Sequence, residues 1–224
     1  MATSTLAASE KQTIAQEIMR VGRKLAECRF HDALAGNISV RLGEDKLICT
    51  CTGADKAALD DEQLVVCNLQ GEVLEGTGRP TSEMLMHLAA YKARPDVRAV
   101  IHAHPPTATA FAAASKPLDT LCLPEILVWL GPIAFVPYGT PGTQELTARL
   151  QPFLAGHDGF LLENHGALSL GHTLRKAAQR MELIEQTARI TLTVGQLGKK
   201  PYVLTERHLA ELVAIRANVN IGKR

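Results

Sequence analysis

Three histidines stand where they could share one metal ion. His102 and His104 follow an apolar run over residues 99–101, and His165 comes soon after a second apolar run over residues 159–162. Side chains two residues apart in an extended segment project to the same side, so His102 and His104 can bind one cation together. Three protein ligands leave a tetrahedral metal such as zinc open positions for substrate, which is typical of catalytic sites. The spacing therefore predicts a catalytic metal centre.

A carboxylate and several neutral hydrogen-bond donors accompany the histidines. Glu83 is predicted in the first turn of a helix, where the positive end of the helix dipole favours an ionised carboxylate and backbone amides are available to an anion. Thr81 and Ser82 lie in the same turn. Capping and ordinary turns explain each feature taken alone, but together they predict a phosphate site made of neutral donors. Further donors of this site lie in two loops, at Gly36, Asn37, Thr52 and Gly53.

The composition predicts one globular domain over residues 1–224, because 46% of the residues are hydrophobic and can form a substantial core. Lys and Arg total 24 against 23 Asp and Glu, which indicates neither nucleic acid nor a membrane as a partner. No apolar run approaches the roughly 18 residues that span a bilayer. Five cysteines, an odd count, suit a reducing compartment. We therefore expect a cytoplasmic protein.

Hydrophobic periodicity predicts the elements that position these residues. A first helix is expected over residues 9–28, with Ser9 as its N-cap. Thr81 is expected to cap the helix that carries Glu83, and this helix should stop before Pro95, since the residue before a proline avoids helical dihedrals. Strands are expected over residues 38–42, 46–52, 64–68 and 73–74, the first two as a hairpin.

The second half of the chain alternates helices and strands. A helix is predicted over residues 106–114, strands and loops over residues 116–139, and further helices from Thr143 and after His172. The residues from about 198 are expected to form an irregular tail. Alternating hairpins and helices favour a mixed sheet with helices on both faces.

The order of the motifs resembles that of the class II aldolase/adducin family, over about residues 10–195. The motifs are Gly36-Asn37-Ile38-Ser39, Thr52-Gly53, Thr81-Ser82-Glu83, His102-x-His104 and Asn164-His165-Gly166. The resemblance implies an α/β fold, a three-layer α/β/α sandwich around a mainly antiparallel sheet. It also implies a C4 homotetramer with active sites at the subunit interfaces.

The resemblance further implies a role for each motif. A zinc ion, or another divalent cation such as Mn²⁺ or Co²⁺, would be held by His102, His104 and His165. Glu83 would be a ligand of the metal in the empty site and the proton-transfer base when substrate is bound. The positions that match the family's phosphate site are Asn37, Thr52, Gly53, Thr81 and Ser82.

Such a site suits aldol cleavage. Breaking a carbon–carbon bond β to a carbonyl leaves an enediolate, whose charge a divalent cation stabilises as a Lewis acid, so no Schiff-base lysine is needed. Glu83 would move the proton on the enediolate carbon. We expect an aldolase that cleaves a phosphorylated ketose, such as L-fuculose 1-phosphate, to dihydroxyacetone phosphate and an aldehyde.

One departure from the family keeps other reactions open. Aldolases of the family carry a tyrosine, thought to protonate the aldehyde oxygen, in the segment that corresponds to residues 123–128, and this chain has none there. Water, Glu125, or Tyr202 of a neighbouring subunit could replace it. Dehydration or decarboxylation of a sugar phosphate or oxo-acid phosphate stays possible on the same metal site. A non-catalytic adducin-like scaffold is less expected, because such modules lack the three histidines.

Overall fold

A single eight-stranded sheet runs through the protein in the computed structural model, which describes residues 2–31, 34–118 and 123–218. The strands lie in the order β4-β3-β2-β1-β5-β8-β7-β6. β6 and β7 pair in parallel, and the other neighbouring pairs are antiparallel. The strands are β1 (Asn37–Leu42), β2 (Lys46–Thr50), β3 (Leu64–Asn68), β4 (Val73–Glu75), β5 (Ala99–Ala103), β6 (Ile133–Val136), β7 (Gly159–Leu162) and β8 (Gly166–Gly171).

Helices cover both faces of the sheet, as expected for a three-layer sandwich. The helices are α1 (Ala2–Glu27), α2 (Met84–Ala93), α3 (Pro106–Ala113), α4 (Pro124–Trp129), α5 (Gln144–Leu154), α6 (Leu174–Gln196) and α7 (Glu206–Asn218), and a short 3-10 helix spans Asp61–Gln63. Strand side chains alternate between two cores. Ile101 belongs to the core that includes residues of α1, α3, α4 and α6, whereas Val100 belongs to the core that includes residues of α2 and α5.

Two predicted helix starts are corrected. α1 begins at Ala2, so Ser9 lies inside the helix and is not its N-cap. Alanine has the highest helix propensity, and the residues before Ser9 are rich in it, so the helix extends beyond the predicted cap. α2 begins at Met84 with Glu83 as its N-cap residue. Glu83 therefore lies just before the first turn, and Thr81 accepts a hydrogen bond from the Glu83 amide at 3.2 Å.

Two helices lie where none was predicted. α4 begins at a proline, whose fixed φ suits the first helical position, within a stretch expected to hold only strands and loops. α7 lies in the segment expected to be an irregular tail and packs on α4. Its Arg216 Nη1 donates to the carbonyl of Leu127 at 3.2 Å, and its Nη2 lies 3.3 Å from Asp158 Oδ2. These contacts join residues far apart in sequence, so local pattern does not reveal them.

None of the helices in the described part of the chain is both long enough and apolar enough to cross a membrane.

Candidate active site

The three histidines meet at one end of neighbouring strands. His102 lies on β5, paired with Asn37 on β1 and with Leu168 on β8. His104 follows the end of β5, and its backbone amide donates to the Phe30 carbonyl at 2.7 Å. His165 lies in the turn between β7 and β8. The antiparallel pairing of β5 with β8 therefore brings together histidines that are about sixty residues apart in the chain.

The histidine side chains and Glu83 converge on one point. Nε2 of His102 lies 3.0 Å from Nε2 of His104. Glu83 Oε2 lies 3.1 Å from His102 Nε2, and Glu83 Oε1 lies 3.2 Å from His165 Nε2. One ligand atom from each of the three histidines lies within 4.8 Å of the other two. The structure thus assembles all four residues predicted to surround the metal.

Burial favours the neutral form of two of these histidines, His102 and His165. Burial lowers the pKa of His102 well below its ordinary value, with further lowering by the neighbouring His165 and His104, and burial lowers the pKa of His165 to about 4. Nδ1 of His102 donates to the carbonyl of Ala167 at 2.9 Å, which leaves the Nε2 lone pair facing the site. Burial raises the pKa of Glu83, against the opposing effect of its hydrogen bond from Asn37.

These residues fit a divalent cation. Three imidazoles and a carboxylate form a donor set typical of zinc and of similar first-row metals. Glu83 Oε1 is buried, and it has no hydrogen-bond partner among the residues that the structure describes. A buried carboxylate oxygen without a partner is costly, and a cation bound beside it would remove that cost. His102, His104 and His165, with Glu83, could therefore hold a metal ion.

The predicted phosphate residues line one cavity beside the histidines. The cavity has a volume of about 130 Å³, and Glu83 and His104 form part of its wall. All six predicted phosphate residues line it, namely Gly36, Asn37, Thr52, Gly53, Thr81 and Ser82. The structure thus places them in one cavity with Glu83 and His104, two of the predicted metal ligands.

The hydroxyl groups of this cavity are not equivalent. Thr52 Oγ1 donates to the Pro80 carbonyl at 2.7 Å, so its proton is already used. Thr81 Oγ1 accepts from the Glu83 amide, and Thr81 is buried. Ser82 is exposed. Among the described residues, the Thr81 and Ser82 hydroxyls thus both keep a proton for a bound anion, and Ser82 is the more exposed of the two.

A glycine and a buried lysine shape the cavity wall. Gly36 adopts a φ of +76°, and a Cβ there would collide with the His31 ring and lie 2.8 Å from the His102 carbonyl. Lys56 is buried, and its Nζ donates to the carbonyls of Leu34 and Ala54, each at 2.6 Å. Leu34 and Ala54 belong to the two loops that line the cavity, so Lys56 holds these loops together.

None of the three tyrosines is among the described residues that line this cavity. Tyr91 is buried in α2, with its hydroxyl 2.9 Å from Ser39 Oγ. Tyr138 and Tyr202 are both exposed. Glu125, the other predicted substitute for the family's tyrosine, is exposed in the first turn of α4. Among the described residues lining the cavity, Glu83 is the one carboxylate and no tyrosine is present.

Sequence reasoning missed two features around the site. His31 is buried against Gly36, and burial lowers its pKa to about 3, with further lowering by Lys56 and His104. Ser39, His87 and Tyr91 form a buried network behind Glu83. A signal for this network is present in the sequence, because Glu83, His87 and Tyr91 recur every four residues on one helix face.

Comparison with known proteins agrees with this geometry. Residues 16–192 match the family described as Class II Aldolase and Adducin N-terminal domain. The chain is 32% identical over 210 residues to 3-oxo-tetronate 4-phosphate decarboxylase from Escherichia coli O6:H1, covering 92% of this chain and 97% of that protein. It is 32% identical over 164 residues to L-fuculose phosphate aldolase from Methanococcus maripaludis, covering 73% of this chain and 87% of that protein.

The fold is also shared with solved structures. The structure of YgbL from Escherichia coli superposes with a TM-score of 0.84 at 30% identity and covers 90% of this chain and 98% of that one. An L-fuculose 1-phosphate aldolase superposes with a TM-score of 0.83 at 31% identity and covers 90% of this chain and 95% of that one. The chain therefore belongs to the Class II Aldolase and Adducin N-terminal domain family and is a lyase.

Proposed function

We propose that this lyase decarboxylates a small 3-oxo acid phosphate of the 3-oxo-tetronate 4-phosphate type, with a bound zinc ion. The observation that carries the proposal is the single carboxylate, Glu83, beside a cavity whose described lining holds no tyrosine. Aldol cleavage needs a group to take the proton of the hydroxyl that becomes the aldehyde, and another to protonate the carbon left behind. Decarboxylation needs only the group that protonates the carbon, so it suits a site with one proton-transfer group.

The chemistry follows from the substrate's carbon skeleton. In a 2-hydroxy-3-oxo acid that carries phosphate on carbon 4, the carboxylate lies β to the carbonyl. The bond between carbons 1 and 2 breaks, its electron pair moves toward the carbonyl oxygen, and CO₂ leaves. The remaining enediolate takes one proton at carbon 2 and becomes dihydroxyacetone phosphate. Aldol cleavage of a ketose 1-phosphate produces the same enediolate, which explains how one site can support both reactions.

The residues of the chain divide this work between two halves of the site. The neutral donors of the cavity, with Ser82 foremost, would bind the phosphate and set the position of the carbon chain. Glu83, at the junction of cavity and histidines, would deliver the proton to carbon 2. A divalent cation held by His102, His104 and His165 supplies a Lewis acid for the negative charge that develops on the substrate oxygens.

Aldol cleavage of a phosphorylated ketose is the second candidate. The similarity to L-fuculose phosphate aldolase favours it, and so does the presence of all four residues around the predicted metal. In this case a group from outside the described site would have to act on the aldehyde oxygen. Tyr202 is exposed near the end of the chain and could reach the site of a neighbouring subunit in a tetramer.

A direct comparison of substrates tests the proposal. The zinc-loaded protein is incubated with 3-oxo-tetronate 4-phosphate and, separately, with L-fuculose 1-phosphate. We expect release of CO₂ together with dihydroxyacetone phosphate from the first, and slower release of an aldehyde from the second. Aldehyde release that exceeds CO₂ release would contradict the proposal and favour the aldolase.

The proposal also covers the domain organisation, oligomeric state and cellular compartment of the enzyme. We infer one domain over residues 1–224 that assembles as a homotetramer in the cytoplasm, with each site completed at a subunit interface. The exposed apolar side chains near the end of the chain support an assembly, since burying them between subunits would be favourable. Light scattering of the purified protein would measure its oligomeric state.

A further inference from the structure

A buried chain of hydrogen bonds runs from α2 through β1 to Glu83. Asn37 Nδ2 donates to Glu83 Oε2 at 2.9 Å, and His87 Nε2 lies 2.5 Å from Asn37 Oδ1. On the other side of the imidazole, His87 Nδ1 lies 2.6 Å from Ser39 Oγ, which lies 2.9 Å from Tyr91 Oη. All five residues are buried. The chain therefore joins the carboxylate of the active site to a region closed to solvent.

The direction of each hydrogen bond follows from the first one. The Asn37 amide nitrogen faces the carboxylate, so its carbonyl oxygen faces His87 and can only accept. His87 must then carry its proton on Nε2 and donate. Its Nδ1 is consequently an acceptor, which requires Ser39 to donate to it and leaves the Ser39 oxygen to accept from Tyr91.

Burial keeps this arrangement in one protonation state. His87 is fully buried, and burial lowers its pKa to about 3, so the ring is neutral with one proton. His102 differs, because its Nδ1 donates to a backbone carbonyl and its Nε2 carries no proton. The two histidines are thus opposite tautomers on the same face of the sheet. This difference is a measurable property of the metal-free protein.

We propose that His87 is a positioning residue that fixes the amide of Asn37 with its nitrogen toward Glu83, and so holds the Glu83 carboxylate toward the three histidines. The catalytic role of Glu83 in this proposal rests on the proposed function. The hydrogen-bond geometry of His87, Asn37 and Glu83 does not. Without a donor at His87, the Asn37 amide loses the partner of its oxygen and can turn. A turned amide would place an oxygen against the carboxylate, and the two would repel.

The sequence pattern supports this role. Glu83, His87 and Tyr91 form one stripe on α2, because side chains four residues apart share a helix face. Asn37 and Ser39 share a face of β1, because side chains two residues apart do so in a strand. The stripe and the strand face oppose each other, and every polar atom named in the hydrogen-bond chain has a partner.

Nitrogen-15 NMR of the histidine rings in the metal-free protein tests the geometry. We expect His87 to be neutral with its proton on Nε2 and His102 to be neutral with its proton on Nδ1. Assignment is made by comparing spectra of the wild type with those of His87→Gln. A proton on Nδ1 of His87 would reverse every hydrogen bond in the chain and overturn the proposal.

Substitutions test the effect on turnover. His87→Leu removes the donor to Asn37, so we expect kcat to fall about tenfold or more while bound zinc stays at the wild-type amount. His87→Gln retains an amide donor near the position of Nε2 and should recover much of this loss. His157→Gln is the matched control, because His157 bonds the Phe153 carbonyl in another part of the molecule.

A double-mutant cycle separates positioning from general destabilisation. If His87 acts through Asn37, then His87→Leu should have no further effect on kcat in an Asn37→Ala background. Full additivity of the two effects would overturn the proposal. If His87→Leu fails to fold, the tautomer of His87 measured in the wild type still tests the positioning proposal.

The two proposals fail in different ways. A proton on His87 Nε2 in a protein that releases no CO₂ from 3-oxo-tetronate 4-phosphate would overturn the proposed function and support the geometry of positioning. A proton on His87 Nδ1 in an active decarboxylase would overturn the positioning alone.

Discussion

Glu185 accepts a hydrogen bond from the backbone amide of Ala108, with 2.9 Å between Oε2 and the nitrogen. The same carboxylate lies 3.0 Å from the amide nitrogen of Thr107. α3 begins two residues after His104, so a buried carboxylate from α6 caps the helix that follows a predicted metal ligand. The negative charge suits the positive end of the helix dipole. The start of the helix that follows His104 is thus held by a residue about eighty positions away in the sequence.

Glu185→Gln should lower the stability of the protein. The amide side chain keeps the shape of the carboxylate but loses its charge, so we expect the free energy of unfolding to fall by about 1.5 to 3 kcal/mol. Urea denaturation measures the change. Glu182→Gln, in the same helix, breaks only a surface ion pair with Lys24 at 2.5 Å and should cost at most about 1 kcal/mol. Equal losses in the two variants would contradict the capping role.

Glu83→Gln should retain the bound metal and the fold but lose turnover. The histidines would still hold the ion, whereas the amide cannot transfer a proton to carbon 2. Exchange of protons between solvent and dihydroxyacetone phosphate, followed by NMR, should disappear together with CO₂ release. Glu62→Gln replaces an exposed glutamate of the 3-10 helix and should leave both rates unchanged. Proton exchange at the wild-type rate in Glu83→Gln would show that another group moves the proton.

The sequence predicts the histidines of the candidate metal site because the signals for each segment are local. The alternation of His102 and His104 along β5 needs only the geometry of one strand, and His165 follows a recognisable apolar run. The meeting of the two segments depends on the pairing of β5 with β8, which periodicity alone does not determine. The shared residue type and the position after an apolar run joined them, and the resemblance to a family implied the same three histidines.

The features that sequence reasoning missed depend on contacts between distant elements. α7 has no buried residues in its described part and lies against α4, so its own pattern does not indicate a core-facing helix. His31 looks like a loop residue until the fold places it behind Gly36. The Glu83 stripe on α2 was visible, but its partners on β1 become known only once α2 is placed on that face of the sheet.

Removal of the metal should lower both activity and stability. We expect about one divalent ion per chain in elemental analysis, because three histidines form one open site. A ligand that binds only the folded state stabilises it, so treatment with a chelator should lower Tm and addition of zinc should restore it. Replacement of His102, His104 and His165 together by alanine should abolish the metal content, while His157→Ala should not. Metal content that survives the triple replacement would remove these residues as ligands.

The unequal hydroxyls of the cavity predict unequal effects on phosphate binding. The Thr52 hydroxyl gives its proton to the Pro80 carbonyl, whereas Ser82 is exposed beside the cavity. A hydrogen bond to a charged group contributes about 1.5 to 3 kcal/mol, so Ser82→Ala should raise KM about tenfold or more for a phosphorylated substrate.

Thr52→Val is the matched comparison, since it also removes one hydroxyl from the same wall. It should raise KM less than Ser82→Ala does, because its hydroxyl proton is not available to the phosphate. Zinc content should equal that of the wild type in both variants, since neither residue is among the predicted metal ligands. Inhibition by inorganic phosphate supplies a second measure, and it should weaken in Ser82→Ala in parallel with the rise in KM. An unchanged KM and unchanged phosphate inhibition in Ser82→Ala would remove the Ser82 hydroxyl as a donor to the phosphate, because this exposed hydroxyl is one of those that the geometry leaves free for it.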